Sequence, residues 1–88
     1  NHSGIEIRPL TNSLNVVPRT DGGASLGNPL KRWANVYTQD MHFSNEGSTG
    51  NSVDGTTGSW SLQEGADTLY LINNITGGKF KISLESVA

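Results

Sequence analysis

The apolar residues of this chain recur with the two-residue period of β-strands, not with the 3.6-residue period of helices. The segment 79–85 is the clearest case, because Phe80, Ile82 and Leu84 alternate with charged or polar residues along its whole length. In a strand, such alternation places the three apolar side chains on one face. Residues 79–85 are therefore predicted to form a half-buried strand.

Two more segments in the last third of the chain predict strands that precede it. Residues 59–64 alternate in polarity, and residues 68–73 are rich in β-branched, aromatic and leucine side chains. The Gly-Gly pair at 77–78 predicts a turn, because glycine supplies the positive φ that tight turns need. The sequence thus predicts a three-stranded antiparallel meander within residues 59–88.

The N-terminal part, residues 1–43, is predicted to contain shorter strands joined by turns. Proline follows the first two, which is typical of strand ends and sheet edges. Asp-Gly-Gly at 21–23 is a strong turn signal. The predicted strands of this part cover residues 5–8, 14–17 and 36–43.

One short helical turn is predicted near residues 29–34. Asn28 is a favourable capping residue, and Pro29 is favoured at the first helical position. The helical spacing i, i+3, i+4 is met by three apolar residues: Leu30, Trp33 and Ala34. All other segments predict strand or turn, so the fold class is all-β.

Residues 44–58 are predicted to be a loop between the two β-rich parts. From residue 45 onward this segment holds four glycines and, apart from Val53, no apolar residue. A loop of this length is uncommon in a compact domain unless it is functional or ordered against a partner. The whole chain is interpreted as a single module, 1–88, with parts 1–43, 44–58 and 59–88.

Composition changes this picture by showing how little core one chain can make. Gly, Ser, Asn and Thr account for 38 of the 88 residues, and there is no cysteine. A chain this small buries only about 60–65% of its unfolded surface and generally needs disulfides, a metal or oligomerisation for stability. Without disulfides or an evident metal cluster, the sequence predicts an oligomer.

Charge, hydropathy and motif content together exclude several classes of function. The formal net charge is −2, so a basic surface for nucleic acid is not expected. No apolar run approaches the roughly 20 residues that span a bilayer, so membrane insertion is not expected either. No catalytic motif or cofactor fingerprint is present, and we expect neither an enzyme nor a cofactor.

Two groups of side chains are nonetheless candidates for chemistry. Asp40 and His42 share one strand face and could bind a metal or carry a proton, although a partly exposed strand histidine is the plainer interpretation. Aromatic rings beside amides and carboxylates are typical of sugar-binding sites, although such rings more often lie in cores or interfaces. The candidate glycan contacts are Tyr37, Asn45, Asn51, Asp54 and Trp60.

Three segments of the N-terminal part carry a resemblance. They are Ile-Arg-Pro at 7–9, Asp-Gly-Gly-Ala-Ser-Leu-Gly at 21–27 and Arg-Trp-Ala-Asn-Val-Tyr at 32–37. Together they resemble a recurrent module of tailed-bacteriophage tail fibres and tailspikes. Residues 58–81 are similar to segments that follow this module in related viral fibres.

The resemblance implies an all-β segment of the virion, assembled as an intertwined homotrimer. An endosialidase-type intramolecular chaperone often follows such segments. The implied function is structural and adhesive, in attachment to a bacterial surface glycan or outer-membrane receptor. The side chains expected in the trimer core or interface are Leu26, Trp33, Val36, Leu69, Leu71, Phe80, Ile82 and Leu84.

Two other functions stay open from the sequence. The chain could be a carbohydrate-binding tip that reads the receptor, with the 44–58 loop as the rim of its site. It could also be a glycan-cleaving enzyme, as many tailspikes are. The resemblance disfavours the enzyme, because catalysis in such proteins requires a β-helix or propeller far longer than 88 residues.

Overall fold

The computed structural model describes residues 15–88 and shows an all-β protein without a helix in that range. The chain divides into two compact units, Asn1–Ala34 and Asn35–Ala88. The predicted strand 5–8 lies outside the described residues. The predicted strand 14–17 lies partly outside them, and its described residues form no strand.

The second unit contains a four-stranded antiparallel sheet in the order β1-β2-β3-β4. The strands are β1 Met41–Ser44, β2 Ser59–Glu64, β3 Leu69–Asn73 and β4 Lys79–Lys81. The predicted meander is confirmed as β2, β3 and β4. β1, which overlaps the end of the predicted strand 36–43, pairs with the other side of β2.

Two predicted strands are longer than those the structure forms. The predicted strand 36–43 is wrong over residues 36–40, because β2 ends at Glu64 and offers residues 36–38 no partner. The predicted strand 79–85 ends at Lys81. The amide of Ile82 still donates to the carbonyl of Leu69 at 3.0 Å, but β3 begins there.

The helical turn predicted for residues 29–34 is wrong. Asn28 and Lys31 exchange both backbone hydrogen bonds, at 3.0 and 3.1 Å, and so close a two-residue turn. The side chain of Asn28 does cap the turn, because its Oδ1 accepts from the amides of Leu30 and Lys31. Leu30 is 90% exposed, so no packing against another element rewards a helix here.

The pairing register gives the sheet one strongly apolar face. Residues directly opposite each other in an antiparallel pair share a face. The pairs Met41–Leu62, Phe43–Trp60 and Leu71–Phe80 therefore lie on the same side. We call this side the apolar face; it carries Met41, Phe43, Trp60, Leu62, Leu69, Leu71 and Phe80, with Glu64 and Asn73 at the ends of their strands.

The other side, the polar face, is mostly hydrophilic. Its members are His42, Ser44, Ser59, Ser61, Gln63, Tyr70, Ile72, Lys79 and Lys81. The only fully buried residue among those described is Ser61, at 3% exposure. No hydrophobic side chain is fully buried in the described part of the chain. The sheet is therefore folded but has no covered core of its own.

Glycines support the aromatic rings of both units. Gly58 and Gly78 each lie two residues before an aromatic residue, on the same strand face. The rings of Trp60 and Phe80 lie over these glycines, with ring atoms 3.2–3.6 Å from where a Cβ atom would be. Those two rings also contact each other across β3, with centroids 5.8 Å apart. In the first unit, the Trp33 ring lies over Gly27 in the same way.

Candidate functional site

The connection between β1 and β2 borders a cleft of about 540 Å³, which we call the loop cleft. Three of the five candidate glycan contacts line it: Asn45, Asn51 and Trp60. Asp54 does not line the cleft but bonds to Asn51. Tyr37, at 93% exposure, lies outside it. The remaining lining residues are His42, Phe43, Ser44, Thr56, Thr57 and Gly58.

Asn45 closes the base of the loop. Its backbone amide donates to the carbonyl of Gly58 at 3.2 Å, and its Oδ1 accepts from the Gly58 amide at 2.7 Å. Its Nδ2 donates to the carbonyl of Thr56 at 3.2 Å. This residue therefore carries the β1–β2 pairing one step beyond the strands, at the border of the cleft.

Asn51 organises the tip of the loop. Its Oδ1 accepts from the amides of Val53 and Asp54, at 2.8 and 2.9 Å. Its Nδ2 donates to Asp54 Oδ1 at 2.8 Å and to the Thr56 carbonyl at 3.0 Å. The predicted loop is confirmed from residue 45 onward, and side-chain hydrogen bonds give it a defined conformation.

The carboxylate of Asp54 is the third member of this arrangement. Its Oδ1 accepts from the Thr56 hydroxyl at 2.8 Å and from the Thr56 amide at 3.1 Å. These bonds to Thr56, followed by the one from Asn51, hold the pKa of Asp54 below its usual value of 3.8. The carboxylate is thus charged at neutral pH and serves as an acceptor within the loop.

These contacts leave few free polar groups for a ligand. The amides of Asn45 and Asn51 are largely occupied by the loop itself, so they shape the cleft more than they offer bonds to a sugar. Free contacts come from the rings of Phe43 and Trp60, which pair across β1 and β2, and from the Thr57 side chain. An aromatic platform beside hydroxyl groups is chemically suited to stacking against a sugar ring.

A second polar cluster lies on the polar face of the sheet. Ser61 Oγ is 2.8 Å from His42 Nδ1, and Asn74 Nδ2 donates to Ser61 Oγ at 3.0 Å. The serine and histidine are cross-strand neighbours, a relation that spacing along the chain does not reveal. Because Ser61 is 3% exposed, its hydroxyl is not accessible to a substrate, and the cluster ties β1, β2 and the β3–β4 turn together.

The alternative role for Asp40 and His42 finds no geometric support. The carboxylate of Asp40 accepts from Gln63 Nε2 at 3.5 Å, whereas His42 is bonded to Ser61. Within residues 15–88, no group of three or more His, Asp or Glu side chains could hold a metal ion.

The residues predicted for a trimer interface fall into three sets. Leu69, Leu71 and Phe80 lie on the apolar face, and Ile82 follows its last strand. Val36 and Leu84 lie outside the sheet strands. Leu26 and Trp33 belong to the first unit. Met41, Phe43 and Leu62 also belong to this surface but are absent from the predicted set, although the alternation within Met41–Ser44 is a signal for two of them.

No helix of the described residues is both long and apolar enough to cross a membrane. In comparisons with protein-family models, curated proteins and solved structures, no match to this chain was found.

Proposed function

We propose that this chain is a structural and adhesive segment of a bacteriophage tail fibre or tailspike, located in the virion and built as a homotrimer. The observation that carries the proposal is the uncovered apolar face of the sheet. Phe43 and Phe80 are 49% and 53% exposed although both belong to regular strands. An antiparallel sheet is stable in water when one face is covered, and a homotrimer would cover this face with neighbouring chains.

The tail-fibre assignment is supported by the local geometry of the motif that carries the resemblance. In the segment Ser25–Gly27, the glycine has φ +83°, and the Trp33 ring lies against it. The Leu-Gly and Arg-Trp parts of the motif therefore form one local unit, as their joint recurrence in fibre modules implies. This geometry gives a physical reason for their spacing.

The mass of the folded protein in solution tests the homotrimer. We expect light scattering to give about three times the 9.4 kDa of the chain. Leu71→Glu, in the apolar face, should yield monomer. Ile72→Glu is the matched control, because the adjacent residue of β3 points to the polar face. A folded wild-type monomer, or two variants that behave alike, would contradict the proposal.

Adhesion is tested by binding of the labelled protein to intact bacteria from a panel of hosts. Periodate treatment of the cells oxidises the vicinal diols of surface glycans, and protease treatment removes outer-membrane protein receptors. Binding to some strains that one treatment abolishes would support the adhesive role and identify the receptor class. Absence of binding to every strain would leave a purely structural role and contradict the adhesive one.

A second candidate function, carbohydrate binding at a receptor-recognition tip, is favoured by the loop cleft; it is an alternative to a trimer that covers Phe43 and Trp60. The cleft brings together the rings of Trp60 and Phe43 and the loop segment that carries the hydroxyl group of Thr57. On a glycan array, Thr57→Ala and Phe43→Ala should weaken binding at least several-fold. Tyr37→Ala should leave it unchanged, because Tyr37 lies outside the cleft. Equal losses in all three variants would contradict a site in the cleft.

A further inference from the structure

The two edges of the four-stranded sheet are chemically different, and neither has a partner strand among residues 15–88. β1 pairs only with β2, and β4 pairs only with β3. Open edges invite pairing with another chain unless they are blocked or covered. Both edge strands are short and β4 carries two lysines, which disfavours pairing with unrelated chains. An edge that offers a carboxylate opposite a lysine is the partner these features still admit.

The backbone groups that point outward can be assigned from the bonds at the strand ends. Asn45 bonds to Gly58 and Ile82 bonds to Leu69. Hydrogen-bonded and non-hydrogen-bonded pairs alternate along an antiparallel ladder. The outward N–H and C=O groups therefore belong to His42 and Ser44 on β1 and to Lys79 and Lys81 on β4.

Symmetry then selects which edges can meet in a trimer. A cyclic trimer requires a heterologous contact, in which one surface of a chain meets a different surface of the next. β1 and β4 provide two such surfaces. Because the meander has four strands, β4 of one copy runs antiparallel to β1 of the next when the apolar faces of both copies point to the same side.

Charge complementarity selects the register. On the polar face, β4 presents Lys79 and Lys81, and Asp40 precedes β1 on the corresponding side, where it contacts Gln63. Placing Lys81 opposite Asp40 also places Lys79 opposite His42 and Phe80 opposite Met41. Opposite charges and an aromatic-sulfur contact both favour such cross-strand pairs.

We propose that β4 of one copy pairs with β1 of the next in this register, so that three sheets close into one twelve-stranded ring with their apolar faces inward. The inference rests on the proposed homotrimer and specifies how it is joined. The ring removes every open sheet edge, and it encloses the large side chains Phe43, Trp60 and Phe80, which suit an interior wider than that of an eight-stranded barrel.

Disulfide trapping tests the pairing. The chain has no native cysteine, so only the introduced residues can form a crosslink. In this register Met41 and Phe80 of adjacent copies form a non-hydrogen-bonded pair, with Cα atoms about 4.5 Å apart. Within one chain the same residues are three strands apart, about 14 Å, beyond the reach of a disulfide. We expect the oxidised double variant Met41→Cys, Phe80→Cys to run as a covalent trimer on a denaturing, non-reducing gel.

Two further double variants define the register and guard against misfolding. Asp40→Cys with Lys81→Cys links two exposed positions that the register also places opposite each other, and it should give the same covalent trimer. Phe43→Cys with Phe80→Cys joins positions that lie two residues out of this register. This variant should therefore crosslink at least several-fold less. Equal crosslinking of the shifted pair would overturn the register.

The remaining outcomes separate this inference from the proposal on which it rests. A trimeric mass with no covalent trimer from either matched pair would overturn edge pairing and leave the homotrimer standing. A covalent dimer from a single-cysteine control, Phe80→Cys alone, would show that like edges meet and would also overturn it. A monomeric mass for the wild-type protein would overturn the homotrimer itself.

Discussion

Asparagine is the residue that does most to shape the turns of this protein. Asn28, Asn51 and Asn73 each use Oδ1 to accept from the amides two and three residues further along. This local bonding is the reason that asparagine favours turns over helices. At Asn28 the predicted capping is confirmed but the predicted helix is wrong, because a cap looks the same in sequence whether a helix follows or not.

Asn73 is the position where this bonding can be tested most directly, since its backbone also closes the β3–β4 turn through Gly77 and Gly78. Asn73→Ala removes the acceptor for two amides and should lower the free energy of unfolding by about 1 kcal/mol. Asn73→Asp keeps the acceptor and should stay within about 0.5 kcal/mol of the wild type. Chemical denaturation of both variants provides the measurement, and equal losses would contradict a bonding role.

Asp54 makes the stability of the folded protein depend on pH. Its folded-state pKa lies below 3.8 because Thr56 and Asn51 donate to the carboxylate. Its contribution to stability is therefore complete above the unfolded-state pKa and is lost as the pH falls through the lower, folded value. We expect carboxyl NMR titration to show a midpoint below 3.8 for Asp54. Thr56→Val should raise this midpoint, and Thr57→Val should not change it.

The candidate glycan residues show what residue types alone can predict. Amides and aromatic rings were identified from the sequence, and the structure brings Asn45, Asn51 and Trp60 to one cleft. Whether an amide is free to bind a ligand depends on bonds such as the one from Gly58 to Asn45, thirteen residues apart. Such bonds are set by the register of β1 and β2, which the sequence does not display.

At the scale of elements, strand existence followed from alternation, whereas strand length followed from the partner. Residues 79–85 alternate throughout, yet β4 stops at Lys81 because β3 begins at Leu69. A strand needs a neighbour at each position to satisfy its backbone groups. Periodicity in one segment contains no information on how long the neighbouring segment is.

The Gly27–Trp33 contact is an element-scale feature with a clear test. Gly27 has φ +83°, and an added Cβ would lie 3.2 Å from the Lys31 carbonyl and 3.3 Å from the indole. Gly27→Ala should therefore cost about 1–2 kcal/mol of backbone strain plus a packing penalty. The Trp33 indole N–H resonance should shift toward its unfolded position.

Gly22→Ala is the matched control for that prediction. Gly22 has a similar φ of +71°, but nothing lies within 4 Å of an added Cβ. It should show the strain and leave the Trp33 resonance in place. If both variants shifted this resonance equally, the indole would not depend on its contact with Gly27.

At the scale of the whole molecule, stability should depend on protein concentration. If three chains share one core, unfolding is coupled to dissociation, and mass action favours the folded state at higher concentration. For a trimer of this size, a tenfold increase in concentration should raise Tm by about 5 °C. Calorimetry at two concentrations measures this, and a constant Tm would indicate a self-sufficient monomer.

By itself, the sequence determined the all-β class, the three C-terminal strands and the turns around asparagine and glycine, because these depend on residues close together in the chain. Only the tertiary structure decided that Met41, Phe43 and Leu62 join Trp60, Leu71 and Phe80 on one face. It also decided that the amides of the loop are occupied and that Ser61 meets His42. Each of these depends on strand register, since a shift of one residue would move every side chain to the opposite face.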